Sequence, residues 1–578
     1  MDYEKRSYYN RRVAELRLER ESYIPHWMDL NKFIRPRSAK FFITTGNRGL
    51  KRNENIINIT ATLSSRTLQS GMMAGVTSPA RPWFKLSTGD PDLDKLDDVK
   101  EWLHQVAFRM REVFARSNLY NALPMIYADL GDYGTAAMAV LEDDETVIRC
   151  QPFPIGSYCL ANDEKGKVDT IVREWQMTVR QLVQQFGIDN CSPRVRQMVE
   201  TKQYETWIEV THIVERNQDY NPDKLASKHK KFISVYLERG TSGAQDTRIE
   251  PSVLRESGFD QFPVMAPRWS VTGEDIYGNS PAMDALGTIK ALQLKEKRKA
   301  QMIDKGANPP MSAPSSLKNQ RASLLPGDVT YVDVNQGQQG FQPVYQPDHG
   351  WLAALKDDIR QDENAIKRAF FEDLFLMLAN MEGVQPRNVM EIAERKEEKL
   401  LQLGPVMDRL NDELFDPLID RTFSIMVNLS IPDWDAGLPG LIPQPPEALQ
   451  RTKLKVEYTS VMAQALKMVG LGAIERFAGF MGGLAAADPS VLDKWNRDET
   501  VDVYADAVGL SPKIINSADD VAKVRDARAK AQKMAQTAAL AETASKAMLN
   551  ASKTDLTGDN GLSRLLGNLN PNSTAVPV

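Results

Sequence analysis

The stretch RWSVTGEDIYGNSPAMDALGTIKALQLKEKRKAQMIDK, residues Arg268–Lys305, carries the clearest structural pattern in the chain. Its first half is rich in turn-forming residues, and its second half, from Pro281 to Lys305, is an uninterrupted helical run. That run predicts a helix of about 25 residues, which extends about 37 Å at 1.5 Å per residue. The prolines in NPPMSAPSS, Asn308–Ser316, end the helix. A single long helix entered from a tight turn is therefore predicted in the middle of the chain.

Two further long helices follow on the C-terminal side. One is predicted from about His349 to Leu378, and the other begins at Asn388 and continues to about Asn428. Glu391 stands three positions after Asn388, which is a capping-box spacing. Gly404-Pro405 is expected to kink this last helix.

The first two long helices carry more apolar side chains than two helices can bury between themselves. We expect a second copy of the chain to cover the excess, and a head-to-tail contact that closes on itself makes a ring. These side chains are Leu292, Leu294, Ile303, Leu352, Leu355, Ile359, Ile366, Phe370, Phe371, Leu374 and Phe375.

The residues before this region mix helices with strands. Helical patterns cover 4–22, 26–34, 56–73 and 99–117. Strand patterns cover a hairpin at 136–153 and segments at 170–175, 207–215, 232–238 and 264–269. The predicted fold class is α+β, predominantly helical.

The C-terminal part contains three segments that differ in composition. Residues 432–448 are rich in proline and glycine and are predicted to form a linker. The chain is predicted to be helical again from Val456, and Ser517–Leu549 holds eleven alanines without proline or glycine, which favours a long helix. The tail 551–578 is predicted to be disordered.

The composition of the chain limits the classes of function that it can have. The chain has 578 residues, enough for three to four domains, and its net charge of −5 argues against tight binding of nucleic acid phosphates. The three cysteines are far apart and are expected to be buried thiols. No signal peptide or membrane span is predicted, so we expect a soluble protein made inside a cell.

Catalytic motifs are missing from the sequence. It contains no GxxxxGK phosphate loop, no HExxH and no GxSxG, and its five histidines are scattered. The acidic residues Glu142–Glu145 are expected at a solvated hairpin tip. The tryptophans at 83, 102, 175, 207 and 269 are expected in cores. We therefore predict no cofactor and no catalytic or metal-binding residues.

The basic run of the first long helix leaves two interpretations open. Lys295, Lys297, Arg298 and Lys299 either form a solvated helix face or lie near nucleic acid or an acidic partner.

Several segments together resemble the portal, or head-to-tail connector, proteins of short-tailed phages, over the chain from its N-terminus to about residue 430. The segments are Trp27 with Ile34-Arg35-Pro36, Asn58, Ser70-Gly71-Met72, Ser78–Phe84, Gly166–Gly187, Arg268–Lys290 and Glu391–Arg421.

The resemblance implies a dodecameric ring with a central DNA channel at one capsid vertex. It divides the chain into a wing at 1–275 and 388–450, stem helices at 276–306 and 347–378, a clip at 307–346, a tunnel loop at 379–387 and a crown or barrel at 451–550. The implied contacts are the tunnel loop residues Asn380, Met381, Glu382, Val384 and Gln385 with DNA, the stem cations Lys295, Lys297, Arg298 and Lys299 on the channel face, and the clip residues Ser316, Lys318, Arg321 and Asp328 in docking.

The resemblance also implies partners and a location. The partners are the chain itself, double-stranded DNA, the terminase large subunit, a tail adaptor or head-completion protein, and the major capsid and scaffolding proteins, with no membrane. The location is the virion, after assembly in the host cytoplasm. Two other functions remain open on sequence alone: a nucleic-acid-processing enzyme with an acidic metal site near Asp90–Glu101 or Glu142–Glu145, and an internal capsid scaffold.

Overall fold

The computed structural model describes residues 3–41, 51–90, 92–224, 226–240, 253–313, 315, 318, 323, 342–344, 349–379, 403–438, 440–449, 454–459, 474, 476–485, 488–508 and 518–552. It divides the chain into two compact units, Met1–Gly472 and Ala473–Val578. Among the described residues, no helix has both the length and the hydropathy that a bilayer-spanning segment needs.

The α-helices in chain order are α1 Tyr3–Glu21, α2 Ile24–Phe33, α3 Thr60–Val76, α4 Asp97–Arg116, α5 Leu119–Tyr133, α6 Val179–Phe186, α7 Pro193–Glu200, α8 Pro281–Ala307, α9 His349–Ala369, α10 Glu372–Ala379, α11 Asp416–Asp435, α12 Arg497–Val508 and α13 Ala518–Ser552. Helix 403–410 runs through a wider π-helical turn, Asn411–Phe415, into α11.

The strands in chain order are β1 Phe84–Ser87, β2 Ala137–Asp143, β3 Val147–Phe153, β4 Tyr158–Asn162, β5 Val168–Thr178, β6 Trp207–Arg216, β7 Phe232–Gly240, β8 Val253–Phe259, β9 Val264–Met265, β10 Met311–Ser312, β11 Gln342–Pro343 and β12 Lys455–Tyr458. All the pairings are antiparallel.

The first unit contains a five-stranded sheet of order β4-β5-β6-β7-β8. Helix α1 packs on one face of this sheet, where Val13 and Leu16 meet Val172, Ile213 and Val235. Helices α6 and α7 cover part of the opposite face through a second apolar cluster.

The main core of the first unit surrounds the three-stranded sheet β3-β2-β9. Helix α5 runs through this core, and every side chain from Ile126 to Tyr133 is buried. The α+β class is confirmed, and so are α8, the β2–β3 hairpin and the long alanine-rich helix α13. The sequence patterns missed α5 and the strands β4 and β8.

Three predicted features are wrong. The chain around Val456 is strand β12, which pairs with β1, and is not a helix. The predicted linker at 432–448 is instead helix as far as Asp435 and then packed chain, in which Ile442 is fully buried. Trp207 is 46% exposed, in contrast to the other four tryptophans.

The predicted second long helix, His349–Leu378, is interrupted. Helix α9 ends at Ala369 and α10 begins at Glu372. Phe371 between them has a φ of 55°, the left-handed region that side chains rarely adopt. Phe370 is fully buried at this break. The burial of the aromatic ring offsets the strain of the backbone.

The second unit contains α12 and α13, preceded by a short 3-10 helix, Pro489–Lys494. Arg525 of α13 binds Asp498 of α12 at 2.6 Å, and Phe477 contacts Trp495 edge to face.

Candidate functional site

The pair of helices α8 and α9 leaves the main core and returns to it. The first half of α8 is buried as far as Gln293, and no residue from Leu294 to Ala307 is buried. Helix α9 shows the reverse order, with no buried residue from Gly350 to Asp358 and full burial at Ile366. The exposed halves of both helices therefore adjoin the connection between them.

Opposite charges hold the two helices together where they leave the core. Lys295 of α8 lies 2.7 Å from both Asp358 and Asp362 of α9. Hydrogen bonds to these two carboxylates raise the pKa of Lys295, so its charge is held through the physiological range. Lys299 binds Glu296 of its own helix.

The other two cations of the basic run have a different environment. Lys297 and Arg298 are exposed, and neither forms an ion pair with a residue in the described ranges. Lys295 and Lys299 therefore serve the helix pair, whereas Lys297 and Arg298 are available to solvent or to a partner.

Asn58 joins three elements at the base of this pair. Its side-chain amide donates to Glu296 of α8 at 3.1 Å and to Glu363 of α9 at 2.8 Å. Its side-chain oxygen accepts from the backbone N–H of Thr60, the first residue of α3. One polar side chain thus fixes both long helices against the start of a third.

Gln293 completes the same junction and was missed by the sequence analysis. Its side-chain oxygen accepts from the backbone N–H groups of Ile57 and Asn58 at 2.7 and 2.9 Å, and its amide donates to the carbonyl of Asn58 at 2.8 Å. The signal in the sequence is a polar residue within the apolar stripe that includes Ile289 and Leu292, since a buried amide there needs partners.

Helix α10 docks on α3 through a close contact. A Cβ atom at Gly71 would lie 2.3 Å from the ring of Phe375, so only glycine admits the ring at this position. Ser64 of α3 donates a hydrogen bond to Glu372 at 2.7 Å. The Ser70-Gly71-Met72 motif thus allows the chain after α9 to pack closely.

The turn-rich start of the Arg268–Lys305 stretch is a buried polar junction. Arg268 is 2% exposed, and its guanidinium binds Glu413 in the π-helical turn at 2.6 Å. Gly278 meets Gly134 so closely that a Cβ on either would collide with the other's backbone. Tyr277 packs against Trp27 and accepts a hydrogen bond from the backbone N–H of Leu160. This segment anchors the start of α8 to the five-stranded sheet and to the π-helical turn.

A second buried charge cluster lies at the end of α5. Arg35 binds Asp129 and also Asp132, the latter at 2.8 Å. Burial raises the pKa of Asp129 to about 6 in spite of the nearby guanidinium, and it raises the pKa of Asp132 as well. The cluster is internal, and it joins the chain that leaves α2 to the end of α5.

Most of the other predicted contact residues lie outside the described ranges. This applies to the tunnel loop residues Asn380, Met381, Glu382, Val384 and Gln385, and to Ser316, Arg321 and Asp328 of the clip. Lys318 of the clip is described and is exposed.

One carboxylate in each acidic stretch considered for an enzyme has structural partners. Asp94 accepts hydrogen bonds from Ser87 and Thr88, and Asp143 accepts from Thr146 at the hairpin tip. These bonds lower the pKa of each carboxylate. No group of three His, Cys, Asp or Glu side chains within the described residues could hold a metal ion. The three cysteines are buried, and burial raises the pKa of Cys150 to about 12.

Comparison with known proteins identifies the family. Residues 6–515 match the family model described as bacteriophage head to tail connecting protein. The portal protein of Salmonella phage epsilon15 is 49% identical over 556 residues, which cover 96% of this chain and 97% of that protein. The probable portal protein of Bordetella phage BPP-1 is 43% identical over 540 residues, which cover 93% and 94%.

A solved structure described as the neck of an empty GTA particle covers 79% of this chain and 91% of its own, at 12% identity and a TM-score of 0.30. That TM-score is too low to support an argument about the fold. The family match confirms the resemblance and a structural, non-enzymatic role. The chain belongs to the bacteriophage head-to-tail connecting proteins, the portal proteins.

Proposed function

We propose that twelve copies of this chain form a closed ring at one vertex of the capsid and that the genome passes through the ring during packaging and ejection. Family membership supports the connector role. The single observation that carries the proposal is the α8–α9 pair, which projects from the core with uncovered apolar side chains on it.

Three of these side chains are large and well exposed. They are Leu294 (49% exposed), Ile303 (50%) and Trp351 (72%). Large apolar groups clustered on one projecting element mark an interaction surface. A neighbouring copy in a ring would cover them, and the side chains that already pack into the core, such as Ile366 and Phe370, hold each copy's pair in place.

The charges of the pair suit a channel. Duplex DNA carries one charge per roughly 1.7 Å of its axis, and each phosphate held by a cation must be released before the DNA can move. Because Lys295 and Lys299 are bound by carboxylates of the same pair, only Lys297 and Arg298 of the basic run remain for phosphates. Few fixed contacts would let DNA slide.

We assign the remaining roles by the same proposal. The segment 307–346, with Ser316, Lys318, Arg321 and Asp328, would dock the terminase large subunit and then the tail adaptor. Asn380, Met381, Glu382, Val384 and Gln385 would face the DNA as a tunnel loop. The wing, 1–275 and 388–450, would contact the major capsid and scaffolding proteins, and the crown or barrel would comprise 451–550. Assembly would take place in the host cytoplasm.

The test is electron microscopy and mass photometry of the purified chain. We expect closed twelve-fold rings from the natural sequence, and a shift to monomers for the double variant Ile303→Asp and Trp351→Asp. Leu18→Asp is the matched control, because Leu18 is as exposed as Trp351 but lies on α1. Monomers or open filaments from the natural sequence at every salt concentration would contradict the proposal.

A further inference from the structure

One row of side chains crosses the five-stranded sheet on the face opposite α1. Arg173 of β5 pairs with His212 of β6, His212 with Tyr236 of β7, and Tyr236 with Arg255 of β8. Each of the first three is next in sequence to a residue that packs under α1, and side chains alternate between the two faces of a strand. The row therefore points away from α1.

Aromatic rings hold the guanidinium of Arg173 in place. Its central carbon lies 4.4 Å from the ring centre of Phe153 and 4.3 Å from that of Trp175. Arg255 lies 5.1 Å from the ring of Tyr236, on which His212 stacks at 3.9 Å. Cation–π contacts of this kind orient a guanidinium but leave its N–H groups free to bind oxygen atoms.

No carboxylate balances this row within the described part of the chain. The guanidinium of Arg173 forms no hydrogen bond or ion pair with any described residue. Lys40 lies near this row: burial and the positive charge of Arg173 lower the pKa of Lys40. Burial and the charges of Arg173 and Arg255 lower the pKa of His212 to about 3, so His212 is neutral.

On the other face of the same sheet, the arginines are paired with a carboxylate. Arg17 of α1 donates to Glu174 at 2.9 Å, and Arg239 lies 3.7 Å from the same carboxylate. Because Glu174 is adjacent to Arg173 in β5, the two faces of the sheet can be compared directly. Glu174 pairs with cations on the α1 face, whereas Glu238 on the opposite face accepts hydrogen bonds from Ser192 and pairs with no cation among the described residues.

We propose that the row formed by Arg173 and Arg255, together with Lys40, receives a surface carboxylate from a second copy of the chain. The two parallel N–H groups on the edge of a guanidinium match the two oxygens of a carboxylate. The inference rests on the proposed ring, because a head-to-tail interface places one patch of each copy against a different patch of the next.

Charge complementarity favours a second copy as the occupant. The chain carries 77 acidic against 72 basic residues. Asp97 and Asp98, in the first turn of α4, are exposed and form no ion pair with a described residue, so the chain has acidic surface to offer. A nucleic acid phosphate is the less favoured occupant, because a fixed grip on DNA opposes the passage that the ring would serve.

Zero-length crosslinking of the natural protein tests the contact directly. Rings are assembled from a mixture of ¹⁵N-labelled and unlabelled copies and treated with a water-soluble carbodiimide, which joins the amine of Lys40 to a nearby carboxylate as an amide. We expect crosslinked peptide pairs of mixed label, which can arise only between copies. Crosslinks from Lys40 that carry one label only would overturn the inference.

Variants test the energetic contribution. We expect Arg173→Ala to raise the dissociation constant of the ring about ten- to a hundredfold, as loss of a charge-assisted hydrogen bond does, and Arg173→Lys to retain part of the effect. Arg180→Ala is the control, since Arg180 is exposed and pairs with Glu205 of the same chain. Thermal unfolding of each unassembled variant separates a folding defect from an interface defect.

The outcomes separate this inference from the proposed function. If the natural sequence forms no rings, the proposed function fails. If rings form but Arg173→Ala dissociates like Arg180→Ala, this inference alone fails. Loss of duplex DNA retention by Arg173→Ala, with unchanged ring dissociation, would also overturn it in favour of a phosphate.

Discussion

Helices α5 and α13 are stabilised by opposite means. In α5, eleven of the fifteen residues are buried, although Pro124 interrupts its interior. In α13, every described side chain from Asp520 to Lys546 except Val521 is exposed. The tertiary packing around α5 overrides a residue that disfavours helix, whereas α13 depends on the high intrinsic helix propensity of its alanines. Burial and propensity are thus separate sources of helix in one chain.

The largest expected effect comes from truncating a leucine in each helix. Leu123 of α5 is fully buried, and Leu540 of α13 is 69% exposed. We expect Leu123→Ala to lower the free energy of unfolding by about 2–5 kcal/mol because it leaves a cavity. Leu540→Ala should change it by less than about 0.5 kcal/mol.

Chemical denaturation of the unassembled chain measures both changes. Equal effects of the two substitutions would contradict the comparison, since they would mean that Leu540 is as well packed as Leu123.

A smaller effect is expected from the acids of the two helices. The folded-state pKa of Asp129 in α5, about 6, lies above its unfolded value, so ionisation destabilises the fold. The cost is absent below pH 4 and complete above about pH 6. We therefore expect Asp129→Asn to gain up to about 1–3 kcal/mol relative to the natural sequence as the pH rises from 4 to 7.

Glu542 of α13 is the counterpart for this test. It pairs with Lys546 one turn along, at 2.7 Å and in solvent. Glu542→Gln should cost no more than about 0.3–0.5 kcal/mol. Unfolding free energies of the two variants and the natural sequence across the pH range provide the measurement, and a pH-independent difference for Asp129→Asn would show that its carboxylate is not buried as described.

The most local effect is expected from a glycine substitution in α13. Ala535→Gly should cost about 1 kcal/mol of local helix stability, visible as lower helicity by circular dichroism and faster amide exchange around residue 535. The unfolding transition of the first unit should not move. A shift of that transition would show that α13 is coupled to the core that contains α5.

The contrast between α5 and α13 shows which secondary-structure elements could be predicted from the sequence. Helix α8 and helix α13 were predictable because their signals are local: a long unbroken run and a high alanine content. Helix α5 was missed because its evidence is burial by partners distant in sequence. Strand β12 was taken for helix for the same reason, since its partner is Phe84–Ser87 at the other end of the unit.

In the candidate site, too, the features that could not be predicted depend on contacts between residues distant in sequence. The basic run at Lys295–Lys299 was visible in the sequence, but which of its cations are bound depends on Asp358 and Asp362 of another helix. The role of Gln293 required its contact with Asn58. The family was nonetheless recognisable, because residues such as Gly71, Gly278 and Arg268 occupy positions where close packing or buried charge admits few substitutes.

The break at Phe370–Phe371 has a mechanical consequence. Helix α8 is continuous from the core to Ala307, whereas the returning chain bends between α9 and α10. A straight helix transmits tension along its hydrogen-bonded axis, but a bend absorbs displacement by rotation. A pull on the outer end of the pair would therefore be borne by α8 and by the Asn58 junction at its base. Helix α10 and its contact with α3 would be shielded from that load.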